Sequence, residues 1–262
     1  MRETISQRRT KIEDALQNQL PATTEFDQYR DGPVTVGRPR THGHVFLALV
    51  DGLSSEPRST DRAVPIAAAL ELASLQTHVH REAIRRDRSH DGEYDPTRDV
   101  LRGDLLESTA FETLLSAGGS SEHVRRCFAV LVRTTRRAQE GRAIVSEDDV
   151  DPLDAAPDVR RRLGALTGGA AELAALEVGL DDDLCRRLAE HGTELGYRLW
   201  VRTETGEKRA DERQTTGSRA ACRRQIEALA DCCPDRSATQ VRRQLAAFLE
   251  EELRVEFPEQ SA

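Results

Sequence analysis

The sequence predicts an all-α protein, and three observations carry this prediction. Apolar residues recur at three- and four-residue spacing along most of the 262 residues. Short breaks rich in Gly, Pro, Asp and Ser separate these segments. No stretch alternates apolar and polar residues over the length of a strand, since Pro-Val-Thr-Val at 33–36 is too short. We therefore predict a single domain over residues 1–262, built as an antiparallel bundle of about nine helices.

The predicted helices follow one another with little sequence between them. Ile5, Ile12 and Leu16 fall near one face of the first helix. Polar residues at 86–97 and 203–217 predict two loops, and neither is a domain linker because helical patterns resume on both sides. The full set of predicted helices covers about 4–19, 43–54, 62–87, 97–117, 121–140, 156–177, 181–203, 217–231 and 236–256.

Several predicted helix starts carry side chains that can cap the first turn. Ser120 precedes one helix, and the run Asp181-Asp182-Asp183 begins another. Carboxylates and hydroxyls accept hydrogen bonds from the first amide groups, and negative charge is favourable at that end of the helix dipole. We interpret Asp148-Asp149 in the same way, as the start of a helix rather than as a metal motif.

Charge and hydropathy exclude several classes of protein. The chain has 46 acidic and 38 basic residues, a net charge of -8, which argues against affinity for nucleic-acid phosphates. No apolar run approaches the roughly 18 residues of a membrane span, and the first residues lack a signal peptide's apolar stretch. We therefore predict a cytoplasmic protein without a membrane span. Lysine occurs only at Lys11 and Lys208, which fits a salt-loving organism, although a GC-rich genome alone would also favour arginine.

The cysteines give no framework for disulfides or zinc. There are five, an odd number, and none are in C-x-x-C spacing. The histidine pairs His78/His80 and His42/His44 are each two residues apart, so their members do not share a helix face. We therefore do not interpret either pair as a metal site.

Four segments, in order along the chain, resemble those of a known family. Residues 69–84 include Ala-Leu-Glu-Leu at 69–72 and His80, and residues 101–106 read Leu-Arg-Gly-Asp-Leu-Leu. Residues 163–170 read Leu-Gly-Ala-Leu-Thr-Gly-Gly-Ala, and 192–196 follow the pattern G-x-x-L-G. In these segments the chain resembles the trans-type isoprenyl diphosphate synthases, or polyprenyl synthetases, over about residues 37–254.

The resemblance implies a fold and a chemistry. It implies a bundle of the isoprenoid synthase type, with helices around a deep apolar cavity and two D-D-x-x-D motifs facing each other at its mouth. Carboxylates three and four residues apart share a helix face and hold magnesium, which prefers oxygen ligands. The metal draws charge from the diphosphate of an allylic substrate, and isopentenyl diphosphate attacks the resulting carbocation.

The first of these motifs is not preserved. Aligned on His80, it becomes Arg81, Glu82 and Arg85, so arginine stands at two of the three metal-ligand positions. A guanidinium repels magnesium and would itself pair with diphosphate. Glu82 is the only oxygen ligand that remains there, and the resemblance makes His80 a candidate for contact with diphosphate.

The second motif is also degenerate. It becomes Thr203, Glu204 and Glu207, which leaves Glu204 and Glu207 as the candidate metal ligands of a reduced site. The family's basic segment near the N-terminus corresponds to Arg38 and Arg40, the candidate contacts for the second diphosphate. Loss of both aspartate motifs is difficult to reconcile with magnesium-dependent prenyl transfer.

Three hypotheses for function remain. In the first, the chain has no turnover and needs no cofactor. It forms a homodimer, or a heterodimer with an active synthase paralogue whose activity it regulates. An isoprenoid diphosphate is its candidate ligand. In the second, it is an active prenyltransferase that uses magnesium at Glu204 and Glu207. In the third, it is a helical interaction module with no affinity for isoprenoid diphosphates.

Overall fold

The computed structural model describes residues 4–20, 39–54, 60–88, 96–148, 155–206 and 212–255, and these residues form α-helices and no strand. The predicted all-α class is confirmed. The ten helices of the described ranges are α1 (Ile5–Gln19), α2 (Thr41–Leu53), α3 (Thr60–Arg88), α4 (Pro96–Ser116), α5 (Ser121–Asp148), α6 (Pro157–Leu163), α7 (Ala165–Val178), α8 (Asp182–Gly206), α9 (Glu212–Asp231) and α10 (Asp235–Val255).

Helices α2 and α7 form the centre of the bundle. They pack on each other, α2 also contacts α1, α3 and α10, and α7 also contacts α5 and α8. From Ala165 to Leu176, only Glu172 among the residues of α7 is not buried. A helix that is apolar on every side requires neighbours on every side, so the composition of α7 fixes its central place. Helix α4 lies outside, against α3 and α5.

Glycines bring the backbones of α7 and α8 close together. A Cβ atom added to Gly196 would lie 2.8 Å from the Gly164 carbonyl oxygen, and one added to Gly192 would lie 2.8 Å from Cβ of Ala171. Both distances are too short for van der Waals contact, so a larger residue would push the helices apart. The L-G-A-L-x-G-G-A and G-x-x-L-G patterns therefore have a packing role here.

The caps predicted at two helix starts are confirmed. The Ser120 hydroxyl oxygen accepts from the His123 amide at 3.2 Å, at the start of α5. The Asp181 carboxylate accepts from the Leu184 amide at 2.9 Å, at the start of α8. Each bond satisfies one of the first-turn amides that have no partner within the helix.

Three predicted boundaries are wrong. The helix predicted at 156–177 is broken at Gly164, whose close approach to α8 leaves no space for a Cβ. The helix predicted at 121–140 continues to Asp148, so Asp148 ends a helix and does not begin one. The predicted loop at 203–217 is partly helical, because α8 runs to Gly206 and α9 begins at Glu212. Periodicity finds helices more reliably than it finds their ends.

The described helices contain no candidate membrane span, since none is both long and apolar enough to cross a bilayer.

Candidate functional site

The first degenerate motif lies in the last turns of α3, and its side chains bind one another. Nε and Nη2 of Arg85 donate to Oε2 of Glu82 at 3.1 and 2.7 Å. Nη2 of Arg81 lies 3.5 Å from the other carboxylate oxygen of Glu82. Both oxygens of the one remaining acidic side chain are thus held by guanidinium groups from positions 81 and 85.

This arrangement is unfavourable for magnesium. A magnesium ion bound by Glu82 would displace one guanidinium and sit beside two positive charges. In a D-D-x-x-D motif, the side chains at 81 and 85 would supply oxygens instead. Across the described ranges, no group of three or more His, Cys, Asp or Glu side chains is arranged to hold a metal ion.

A second carboxylate with two arginine partners lies beside the first. Asp99, in the first turn of α4, accepts from Nη1 of Arg102 at 2.8 Å. Its other oxygen lies 3.9 Å from Nη1 of Arg86 on α3. The ends of α3 and α4 that meet here therefore present a concentration of guanidinium groups.

His80 of α3 contacts both α4 and α5. Its Nε2 lies 3.0 Å from the Val100 carbonyl oxygen of α4, which can only accept, so Nε2 carries the proton. Its Nδ1 then accepts from the Gln76 side-chain amide at 3.1 Å, with the Gln139 amide of α5 at 3.5 Å. The ring occupies the space that a side chain at Gly103 would need. Its assignment to diphosphate contact stays a prediction, while its contacts show a packing role.

Arg40 is buried at the start of α2, with its Nε 3.8 Å from a Glu13 carboxylate oxygen of α1. Nearby, the buried carboxylate of Glu71 accepts from the Gly43 amide at 2.8 Å and so caps the first turn of α2. An acidic side chain already occupies this helix end. The structure therefore gives Arg40 an ion-pair partner, and its contact with diphosphate stays a prediction.

Two histidines of α2 are held in the neutral form. Burial and, to a lesser extent, the charge of Arg142 together lower the pKa of His42 to about 3. Burial also lowers the pKa of His44 to about 3, assisted by Arg8, Arg9 and Arg40. Nδ1 of His42 lies 3.1 Å from the Thr167 hydroxyl of α7, and His44 stacks on Phe248 of α10. Both rings serve packing between helices.

The second degenerate motif is only partly within the described structure. Thr203 and Glu204 belong to the last turn of α8, but their side chains fall outside the described part. Glu207 and Arg38 lie outside the described residues altogether. The structure thus leaves the reduced metal site at Glu204 and Glu207 a prediction.

An apolar surface on α4 was not predicted. Leu101 is 62% exposed, and Leu105 and Leu115 are exposed as well. Leu105 and Leu115 follow Leu101 by four and fourteen residues, which places all three leucines along one side of the helix. Val132 of α5 is also exposed, and Phe111 of α4 contacts Phe128 of α5 with ring centroids 5.2 Å apart. We call Leu101, Leu105, Leu115 and Val132 the apolar stripe. The heptad-like spacing of the leucines was the signal that could have revealed it.

Comparisons with known proteins place the chain near one group of enzymes. No protein-family model matches it. The geranylgeranyl diphosphate synthase of Methanosarcina mazei is 26% identical over 204 residues, which cover 73% of this chain and 62% of that protein. The geranylfarnesyl diphosphate synthase of Aeropyrum pernix is 28% identical over 169 residues, covering 60% and 52%. The chain thus spans about half to three-fifths of the length of these relatives.

Solved structures agree with the fold. A geranyltransferase from Helicobacter pylori superposes with a TM-score of 0.73 at 17% identity, covering 95% of this chain and 96% of that one. The geranyl diphosphate synthase small subunit from Antirrhinum majus superposes with a TM-score of 0.61 at 16% identity, covering 85% and 91%. The helical bundle is therefore of the isoprenoid synthase type, as the sequence predicted.

Proposed function

Because the chain belongs to the trans-type isoprenyl diphosphate synthase family of isoprenoid biosynthesis, we propose that it acts there as a partner subunit without turnover of its own. The observation that carries this proposal is the state of Glu82, whose two carboxylate oxygens face Arg81 and Arg85. A carboxylate paired in this way is a poor magnesium ligand. Catalysis through the metal cluster would then lack its first motif.

Loss of the metal site does not remove the means of association. The apolar stripe places exposed leucines at 101, 105 and 115 on one face of α4, and Val132 is exposed on the neighbouring helix α5. Aligned leucines exposed to water are typical of a surface that a partner covers. A second isoprenyl diphosphate synthase subunit is the occupant we propose, either a copy of this chain or an active paralogue.

The comparisons add support for a partner role. One protein with the same fold is named the small subunit of geranyl diphosphate synthase. The curated relatives are named as synthases, and these names favour the alternative of an active prenyltransferase with a reduced site at Glu204 and Glu207. In that alternative, Glu204→Gln abolishes magnesium-dependent binding of an allylic diphosphate.

The association is tested by sedimentation of the full chain, alone and mixed with a synthase from the same organism that has both aspartate motifs. We expect a dimer, or a complex with the synthase. Leu101→Asp and Leu105→Asp would each place a charge on the apolar stripe and should weaken association at least tenfold.

Ala247→Asp is the matched control, because Ala247 is exposed on α10 and far along the chain from the stripe. It adds the same charge and should leave association unchanged. Monomeric behaviour of the unsubstituted chain both alone and mixed with the synthase would contradict the partner role, as would equal weakening by all three substitutions.

A further inference from the structure

The place where α3 ends and α4 begins is positively charged in a negatively charged protein. Residues 81–87 and 96–102, which we call the α3–α4 junction, contain five arginines and three carboxylates. The whole chain has a net charge of -8. The junction therefore has a local excess of positive charge opposite in sign to that of the chain, and such a patch attracts anions.

The geometry sets the outward charge of the junction. Glu82 and Asp99 each contact two guanidinium groups, and their side chains are only 20% and 13% exposed. Arg85 and Arg86 are 70% and 54% exposed. Glu82 and Asp99 thus lie inside the junction, while Arg85, Arg86 and Arg98 reach water beside one exposed carboxylate, that of Asp87. Exposed guanidinium groups therefore outnumber exposed carboxylates where an anion would approach.

We infer that the α3–α4 junction binds a diphosphate group directly, without magnesium. Guanidinium groups donate pairs of parallel hydrogen bonds to phosphate oxygens, and they need no metal to do so. Arg85 and Arg86 make the outer contacts, and Arg81 supplies charge from within. This inference rests on the proposed function, because it gives the partner subunit a ligand at the helix end where the magnesium motif was lost.

The inference reverses the role of Glu82. As a magnesium ligand, Glu82 would favour binding of a metal-bound diphosphate, and Glu82→Gln would weaken it. In a metal-free site, Glu82 competes with the diphosphate for Arg81 and Arg85. Its neutralisation therefore strengthens binding. The direction of this single change separates the two kinds of site.

The experiment is calorimetric titration of the full chain with inorganic pyrophosphate and with geranylgeranyl diphosphate, each in EDTA and in magnesium. Geranylgeraniol, which lacks the diphosphate, shows whether the isoprenoid tail alone binds. We expect binding of both diphosphates in EDTA, weakened about tenfold by Arg85→Gln and strengthened several-fold by Glu82→Gln. Equal affinity for the two diphosphates indicates a free-anion site, and tighter binding of geranylgeranyl diphosphate indicates a lipid ligand.

Arg125→Gln is the matched control, because Arg125 is 71% exposed and pairs with Glu122 three residues before it at 2.7 Å. It removes an equivalent ion pair and charge on another helix and should leave the affinity unchanged. No binding in EDTA, or binding that needs magnesium and is weakened by Glu82→Gln, would overturn the inference. So would a loss of affinity from Arg125→Gln equal to that from Arg85→Gln.

The inference and the proposed function can fail separately. If Arg85→Gln removes diphosphate binding but sedimentation still shows the complex, both stand. If the chain associates but binds no diphosphate, only the inference fails. If it binds diphosphate in EDTA but associates with nothing, the partner role fails and the site remains.

Discussion

The histidines of α2 have their charge set by neighbouring residues. His44 is 2% exposed, stacks on Phe248 with ring centroids 5.0 Å apart, and has no hydrogen-bond partner for Nδ1 within the described part of the chain. The pKa of about 3 means that the folded protein keeps this ring neutral. Unfolding restores a pKa near 6.5, so at a pH between 3 and 6.5 the unfolded chain binds a proton at His44 that the folded chain does not bind.

We therefore predict that acid destabilises the protein through this residue. The contribution of His44 to the free energy of unfolding is complete above about pH 6.5 and falls as the pH drops toward 3, because its pKa is lower in the folded state. His44→Phe keeps the ring and removes the titration. Between pH 7 and pH 5, the variant should lose about 2 kcal/mol less stability than the native chain. Urea unfolding at the two pH values measures this difference, and equal losses would contradict it.

At the scale of helices, one glycine fixes the contact between α3 and α4. The ring of His80, on α3, fills the space beside Gly103 of α4, and its Nε2 donates a hydrogen bond to the carbonyl oxygen of Val100, which is also on α4. A methyl group at position 103 would overlap the ring. The Gly-Asp segment that resembles the synthase family thus has a packing explanation that involves no metal or diphosphate.

We predict that Gly103→Ala destabilises the protein by about 1–3 kcal/mol, as overpacking in a tight contact does. His80→Ala removes the overlapping ring, so Gly103→Ala should cost much less in that background. The unfolding free energies of the two single variants and the double variant give the coupling between the residues. Additive losses would mean that the contact does not hold α3 and α4 together.

Helix existence was predictable because burial imposes a period on the sequence. The apolar runs around Leu70 and Leu131 lie in α3 and α5 as expected. The break at Gly164 was not predictable, because its cause is the approach of α8, which is distant in sequence until the chain folds. The sequence showed arginine at positions 81 and 85, but the ion pairs that both arginines form with Glu82 could be found only from the side-chain geometry.

In the molecule as a whole, the bundle keeps the isoprenoid synthase fold, while the first degenerate motif holds paired charges. The glycine contacts between α7 and α8 and the buried centre at α2 and α7 preserve an isoprenoid synthase bundle. The first metal motif has become a set of ion pairs. Packing restricts most of the residues that maintain the bundle, whereas charge at a helix end can change without unfolding it. In the proposed partner role, the apolar stripe is the surface through which this bundle would associate.

The proposed partner role requires that the isolated chain has no prenyl transfer activity. The most direct measurement is incorporation of labelled isopentenyl diphosphate into longer products by the purified chain, with an allylic diphosphate and magnesium. We predict no incorporation above that of the same mixture with EDTA. Magnesium-dependent incorporation that Glu204→Gln abolishes would contradict the claim and establish the reduced metal site instead.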